Sequence, residues 1–392
     1  MTSTTTSTTT SDMSPSPREA GVEEPKFDAD FWPVQATLPM LARFFSDEWR
    51  QYLRLQPDGS MSADAFTRSL PESVFWRPGT ALRETAGDSA ERALDHLDSQ
   101  HVSRAVINPG VAAAASAVAS PYYAAEIARA ANDWVIQTWL DRDPRLLGSI
   151  VVPIGDPELS AAEIRRIGDH PRMIQVLVAY PHRLLGHRTY APMFEAALEY
   201  DLPITLQSGG AFAASTRGVS AVGEPESHFE YEVSWIAGAQ AHLASLLCSG
   251  IFDRHPRLRL LLSGFGIAWL PSLIWRIESE LRSGRVAKPQ GLSRFPGEQI
   301  REHVRFTTSS LEVPARPHEL VDLLAPIDGC ELLLYASGYA RGDDQGGQTL
   351  AGQLADDQRA AVLRTNAETF FRLSLEQTRD FTAGAHSPAR QT

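Results

Sequence analysis

Cysteine is nearly absent: Cys248 and Cys330 are the only two among 392 residues, far apart and each in an apolar setting. That scarcity argues against a disulfide framework or a reactive thiol, and both are expected to be buried free thiols. Long apolar runs are missing too. None approaches the roughly 18 residues that a membrane span needs, so no membrane partner is expected. Positive charge is in short supply, with 36 Lys and Arg against 48 Asp and Glu and a formal net charge of −12. Nucleic-acid binders concentrate Lys and Arg, so no nucleic-acid partner is expected either. Residues 1–18 are Ser, Thr and Pro without the basic start and apolar middle of a secretory signal, which points to a cytoplasmic protein.

What is present is 43% hydrophobic residues, enough to bury a large core. Polar tails are expected at residues 1–24 and 379–392, with one folded unit over 25–378. Between the tails, short apolar runs alternate with helix-like segments, the signature of a parallel sheet. Strands are expected at 27–31, 102–108, 147–153, 173–178, 204–207, 258–263, 304–308 and 331–336. Helices are expected at 38–53, 89–100, 121–141, 160–169 (from a Ser160 cap), 191–200, 232–250, 269–282, 317–324 and 356–373. Residues 56–85, rich in Gly, Pro, Ser and Asp, read as an irregular insertion after the first helix. Eight strands, each followed by a helix, with double-sided apolar runs such as Leu258-Arg259-Leu260-Leu261-Leu262, give an α/β class and a (β/α)8 TIM barrel. An open doubly wound sheet is the alternative, but no Gly-rich phosphate loop supports it.

Several stretches carry a family likeness. They include Ala93-Leu94-Asp95-His96-Leu97-Asp98 with Arg104-Ala105-Val106-Ile107-Asn108-Pro109, and Ala130-Ala131-Asn132-Asp133-Trp134 with Asp143-Pro144-Arg145-Leu146-Leu147-Gly148. The most specific runs from Gly250-Ile251-Phe252-Asp253-Arg254-His255-Pro256 to Trp269-Leu270-Pro271 and Trp275-Arg276-Ile277; Arg305-Phe306-Thr307-Thr308 with Leu311-Glu312 closes the set. Together, over residues 27–375, the chain resembles the amidohydrolase-related barrels of the amidohydrolase superfamily, metal-dependent hydrolases and decarboxylases of aromatic and unsaturated acids.

The resemblance implies a divalent metal such as zinc at the carboxyl ends of the strands. Its ligands would be two side chains two apart on the first strand, a His ending the fifth, a His or Glu ending the sixth and an Asp ending the eighth. On this chain those positions hold Asp30 and Trp32, Gln207, Gly264 and Gly338. An indole has no lone pair to give, an amide carbonyl is a weak ligand, and glycine has none. No catalytic metal is therefore expected, and no cofactor; Asp30 alone keeps a hard oxygen donor.

Other side chains could carry chemistry. His182 and His187 could act as general bases but read as loop residues, and Arg341 is a candidate carboxylate clamp. His242 reads as a packing residue, and His228 lies beside a Gly-Ala-Ser loop at 208–227 that reads as a pocket lid. Glu312 is expected to keep a structural hydrogen bond, Asp343 and Asp344 to lie in a turn, and Ser263 and Ser337 to lack a His partner. Asp30, His182 and Arg341 are the catalytic candidates. The leading expectation is a non-catalytic subunit supporting an active amidohydrolase paralogue, or a homo-oligomer. The alternatives are an active hydrolase or decarboxylase of a small aromatic acid or amide with atypical chemistry, metal-free or with a differently placed metal, and a binding protein for such an acid.

Overall fold

The computed structural model describes residues 24–33, 38–53, 89–110, 115, 116, 118, 120–179, 181–207, 227–234, 236–285, 287–289, 291–339 and 345–373. The expected tails apart from Glu24, the insertion at 56–85, nearly all of the loop at 208–227, and Arg341, Asp343 and Asp344 lie outside the described residues.

Each of the eight apolar runs becomes a strand: β1 (Lys26–Phe31), β2 (Val102–Ile107), β3 (Leu146–Val151), β4 (Met173–Ala179), β5 (Ile204–Gln207), β6 (Leu260–Ser263), β7 (Val304–Thr307) and β8 (Leu333–Leu334). They pair in chain order, every neighbour parallel, as strand–helix repeats dictate. The result is a nearly closed (β/α)8 barrel. Between β8 and β1 the closure is made by single bonds: Ala29 N donates to Tyr335 O at 2.8 Å, and Ser337 donates to Asp28 through its backbone N (3.1 Å) and its hydroxyl.

The core lies in two layers. Outside the strands, helix faces pack on residues such as Ile107, Ile150 and Val178; inside and towards the floor, Phe27, Ala29, Val106, Leu147, Leu261 and Leu334 meet Phe370 and Phe371. Phe371 stacks on Phe27 with ring centres 5.5 Å apart, so the helix Asn366–Phe371 plugs the floor. Buried Arg259 ties this plug down by donating to Phe370 O and pairing with Asp201 at 3.1 Å; burial pushes its guanidinium down to about 10 against the pull of Asp201. The Asn132 side chain grips Val151 at both its N–H (2.8 Å) and its C=O (2.9 Å), which gives the Asn132 motif a structural role.

Several expected boundaries are corrected. The helix of 160–169 is Pro157–Ile167, capped by Asp156 with proline in its first turn; Ser160 lies inside it, its hydroxyl bonded to Pro153 O. The segment 38–53 divides into Leu38–Leu41, a 3-10 turn and Asp47–Tyr52, and 232–250 into His228–Ser234 and Ile236–Ser249. The last strand shrinks from 331–336 to two residues because Asp328, at φ +54°, starts a 3-10 turn over Gly329–Leu332. The helices 121–141 and 356–373 each carry a π-helical turn, Val135–Leu140 and Ala361–Thr365. Helix Pro296–His303 was not anticipated. Both cysteines are free and half-buried, and burial raises both thiols.

Candidate functional site

In such barrels the reactive groups stand at the carboxyl ends of the strands. The site begins with an irregularity in β1. Asp28 pairs with Ala105 and Phe31 with Ile107, so three steps on β1 face two on β2. An inserted residue of this kind re-aims side chains, and here it turns Asp30 into the barrel. There Asp30 Oδ1 accepts from Trp32 Nε1 (2.6 Å), Asn108 Nδ2 (2.7 Å) and Gln207 Nε2 (3.4 Å), while Oδ2 accepts from Ser309 Oγ (3.0 Å). The four donors come from the ends of β1, β2, β5 and the loop after β7. Asp30, Asn108 and Ser309 are wholly buried, and Trp32 is the most exposed member at 9%.

Behind these donors runs a belt of polar side chains across the interior. Asn108 Oδ1 accepts from Ser149 Oγ (2.6 Å) and Gln175 Nε2 (2.9 Å), and Gln175 Oε1 accepts from Thr205 Oγ1. This arrangement settles the Asn108 amide: its oxygen is claimed by two donors, so its NH2 must face Asp30. A buried carboxylate would cost several kcal/mol without partners; charge-assisted hydrogen bonds from neutral donors offset that cost.

Asp28, two residues before, is pushed up to about 6 by complete burial, against the lowering effect of its bonds from Ser337 and the Asp30 N–H. It serves the β1–β8 seam rather than the Asp30 centre. Gly264 and Gly338 stand at φ +76° and +57°, a left-handed backbone that a side chain would strain by about 1–2 kcal/mol. Gly264 N donates to Thr307 Oγ1 at 2.9 Å, and Thr307 Oγ1 shares a 2.8 Å bond with Ser309.

Of the catalytic candidates, Asp30 forms this centre, His182 is engaged by the loop after β2, and Arg341 lies outside the described residues. His182 Nε2 lies 3.0 Å from Ser116 O, and its ring packs on Gly155, so it joins the loops after β2, β3 and β4. His187 accepts from Thr189 N as a local cap, and His242 accepts from Leu185 N at 3.1 Å while burial pushes it down to about 4, the packing role expected of it. His228 opens the helix His228–Ser234. Glu312 accepts from Ile267 N (2.9 Å) and Ala268 N (3.2 Å), fixing the turn before helix Leu270–Ser283 as expected. Ser337 partners Asp28, not a histidine. Trp269 is buried edge-on to Phe306, whereas Trp275 on the same helix is 54% exposed. The family resemblance points to Asp30, Trp32 and Gln207 at the strand ends; Asn108, Ser149, Gln175, Thr205 and Ser309 carry no such pointer as site residues. Asn108 stood in the quoted Ile107-Asn108-Pro109 run, the one signal available.

These residues do not fit a divalent metal. Among the described residues no three His, Cys, Asp or Glu lie close enough to share an ion. Both Asp30 oxygens already accept from N–H and O–H groups, and Trp32 presents a proton where a lone pair would be required.

The chain is similar to known proteins along most of its length. The amidohydrolase family model matches residues 73–373. A gamma-resorcylate decarboxylase of Rhizobium sp. is 25% identical over 330 residues, covering 79% of this chain and 96% of the relative, and one of Rhodococcus jostii is 25% identical over 328. A 5-carboxyvanillate decarboxylase from Novosphingobium aromaticivorans, solved with manganese, superposes with a TM-score of 0.63 at 20% identity over 89% of this chain and 96% of its own. A dihydroxybenzoic acid decarboxylase from Polaromonas sp., also with manganese, gives 0.62 at 21% over 91% and 100%. The structural likenesses establish the barrel.

Proposed function

This chain belongs to the amidohydrolase family, and we propose that within it the barrel mouth takes a small hydroxylated aromatic acid and acts as a decarboxylase. The observation that carries the reading is Asp30, a single carboxylate aimed inward by the β1 irregularity and ringed by donors from four strand ends. The relatives named as decarboxylases of gamma-resorcylate, 5-carboxyvanillate and dihydroxybenzoic acid support the substrate class. A ring hydroxyl would displace the Trp32 indole, the most exposed donor, from Asp30 Oδ1. Asp30 would then take that proton and return it to the ring carbon bearing the carboxylate. The C–C bond breaks, its electrons restore the aromatic ring, carbon dioxide leaves and the phenolate takes a proton from water.

The test is to incubate the purified chain with hydroxybenzoates and follow carbon dioxide release and ring absorbance, with deuterium in the solvent to mark the protonated carbon. Turnover that falls at least a hundredfold in Asp30→Asn is the expected result; absence of turnover on every hydroxybenzoate would remove the reading. A second reading draws on the lack of ligating side chains at 32, 207, 264 and 338: a non-catalytic barrel assembled with an active paralogue or with its own copies. Trp275 and Phe295, 54% and 61% exposed, are the apolar surface such a partner would cover. Activity of the relative that rises on co-expression, with none from this chain alone, would favour it. No helix among the described residues is long and apolar enough to cross a membrane, and we place the protein in the cytoplasm as part of the same reading.

A further inference from the structure

We infer that the donors around Asp30 replace a divalent cation: the indole N–H of Trp32 stands where the family resemblance expects a metal ligand, and the barrel binds no divalent metal at this centre. A cation holds a buried carboxylate by charge. Here four neutral protons, from Trp32, Asn108, Gln207 and Ser309, converge on its two oxygens instead.

Three features make this a built cage rather than a gap. First, Trp32 and Gln207 both donate to the same carboxylate: two of the four positions that lack the expected ligand supply hydrogen bonds to Asp30 instead. Second, Asn108 is held in its donating orientation from behind by Ser149 and Gln175, and Gln175 in turn by Thr205, so the cage is anchored through β2, β3, β4 and β5. Third, the ends of β6 and β8 carry Gly264 and Gly338 in left-handed backbone, where a ligating side chain would be strained. The hydroxyl of Thr307, which accepts from Gly264 N, also bonds Ser309 and so braces the donor to Oδ2. Loss of one ligand would leave a weakened metal site; this pattern fills the vacated valence with hydrogen bonds.

The site is the one in which decarboxylation is proposed, but the two readings fail separately. Metal content of the purified full chain, measured by plasma mass spectrometry, is expected to lie far below one equivalent. The melting temperature should not move with manganese, zinc or EDTA, because a ligand that binds the folded state raises it. Trp32→Phe, which keeps the ring but removes the donor, should lower the melting temperature by a few degrees. Trp32→His/Gln207→His should take up zinc and gain melting temperature from it, since Asp30 and two imidazoles offer three ligands and an open position.

One equivalent of metal in the wild type that is lost in Asp30→Asn overturns the inference. A folded Trp32→His/Gln207→His chain that takes up no zinc also overturns it, because the indole would then not stand at a metal position. Metal retained by Asp30→Asn sits elsewhere and leaves the cage in place. A metal-free wild type that turns over no hydroxybenzoate keeps the cage and removes the decarboxylase.

Discussion

Two buried ionisable residues pull the stability of this barrel in opposite directions with pH. Asp28 is raised from 3.8 to about 6 by burial, so its contribution is fully present below pH 3.8 and is lost as pH rises through 6, about 3 kcal/mol in all. His242 is lowered from 6.5 to about 4, so the folded state resists a proton that the unfolded chain accepts; stability is lost as pH falls from 6.5 through 4, again by about 3 kcal/mol. Over the shared window the two nearly cancel. Asp28→Asn keeps an acceptor for the Ser337 and Asp30 N–H groups and should raise the urea midpoint at pH 8 while leaving it little changed at pH 4. His242→Gln should flatten the acid limb instead. Midpoints at pH 4.5, 6 and 8 check both, and a midpoint for Asp28→Asn below wild type at pH 8 would contradict the assignment.

At the scale of elements, Glu312 shows how a loop holds a helix in place. Its carboxylate accepts the N–H groups of Ile267 and Ala268, and a Cβ on Gly266, at φ +64°, would collide with that carboxylate. Glu312→Ala should cost about 1–2 kcal/mol by thermal melting, and Glu312→Gln less, since an amide oxygen still accepts. Elements of this kind were legible where the signal is local. Alternating apolar runs located all eight strands, β5 to the residue, whereas the Ser160 cap expectation passed over the local signal of Asp156 followed by Pro157. The shortness of β8 was not legible, because its neighbours Gly329–Leu332 are apolar enough to read as strand yet turn after Asp328. The site was half legible for the same reason. Asp30, Trp32 and Gln207 fall at strand ends that a family pattern points to. Asn108, Ser149, Gln175 and Ser309 meet one another or Asp30 across 26 to 279 residues of chain, and no local periodicity encodes those meetings.

At the scale of the whole molecule, one end of the barrel carries the polar cage and the other an aromatic plug. Phe371→Ala should open the floor beneath Phe27 and cost about 3–5 kcal/mol, read as a lower melting temperature with the strand signal retained below it. Arg259 belongs to the same closure: its bonds to Phe370 and Asp201 join the last helix to the turn before β5. That plug also sets a timetable for synthesis. Phe27 leaves the ribosome with the first strand and Phe371 with the helix that follows all eight strands, so the floor of the nascent barrel stays uncovered until every strand has been made. Until then the apolar side chains of Phe27, Val106, Leu147 and Leu261, each from the moment its strand is made, depend on a chaperone or on partial collapse for cover.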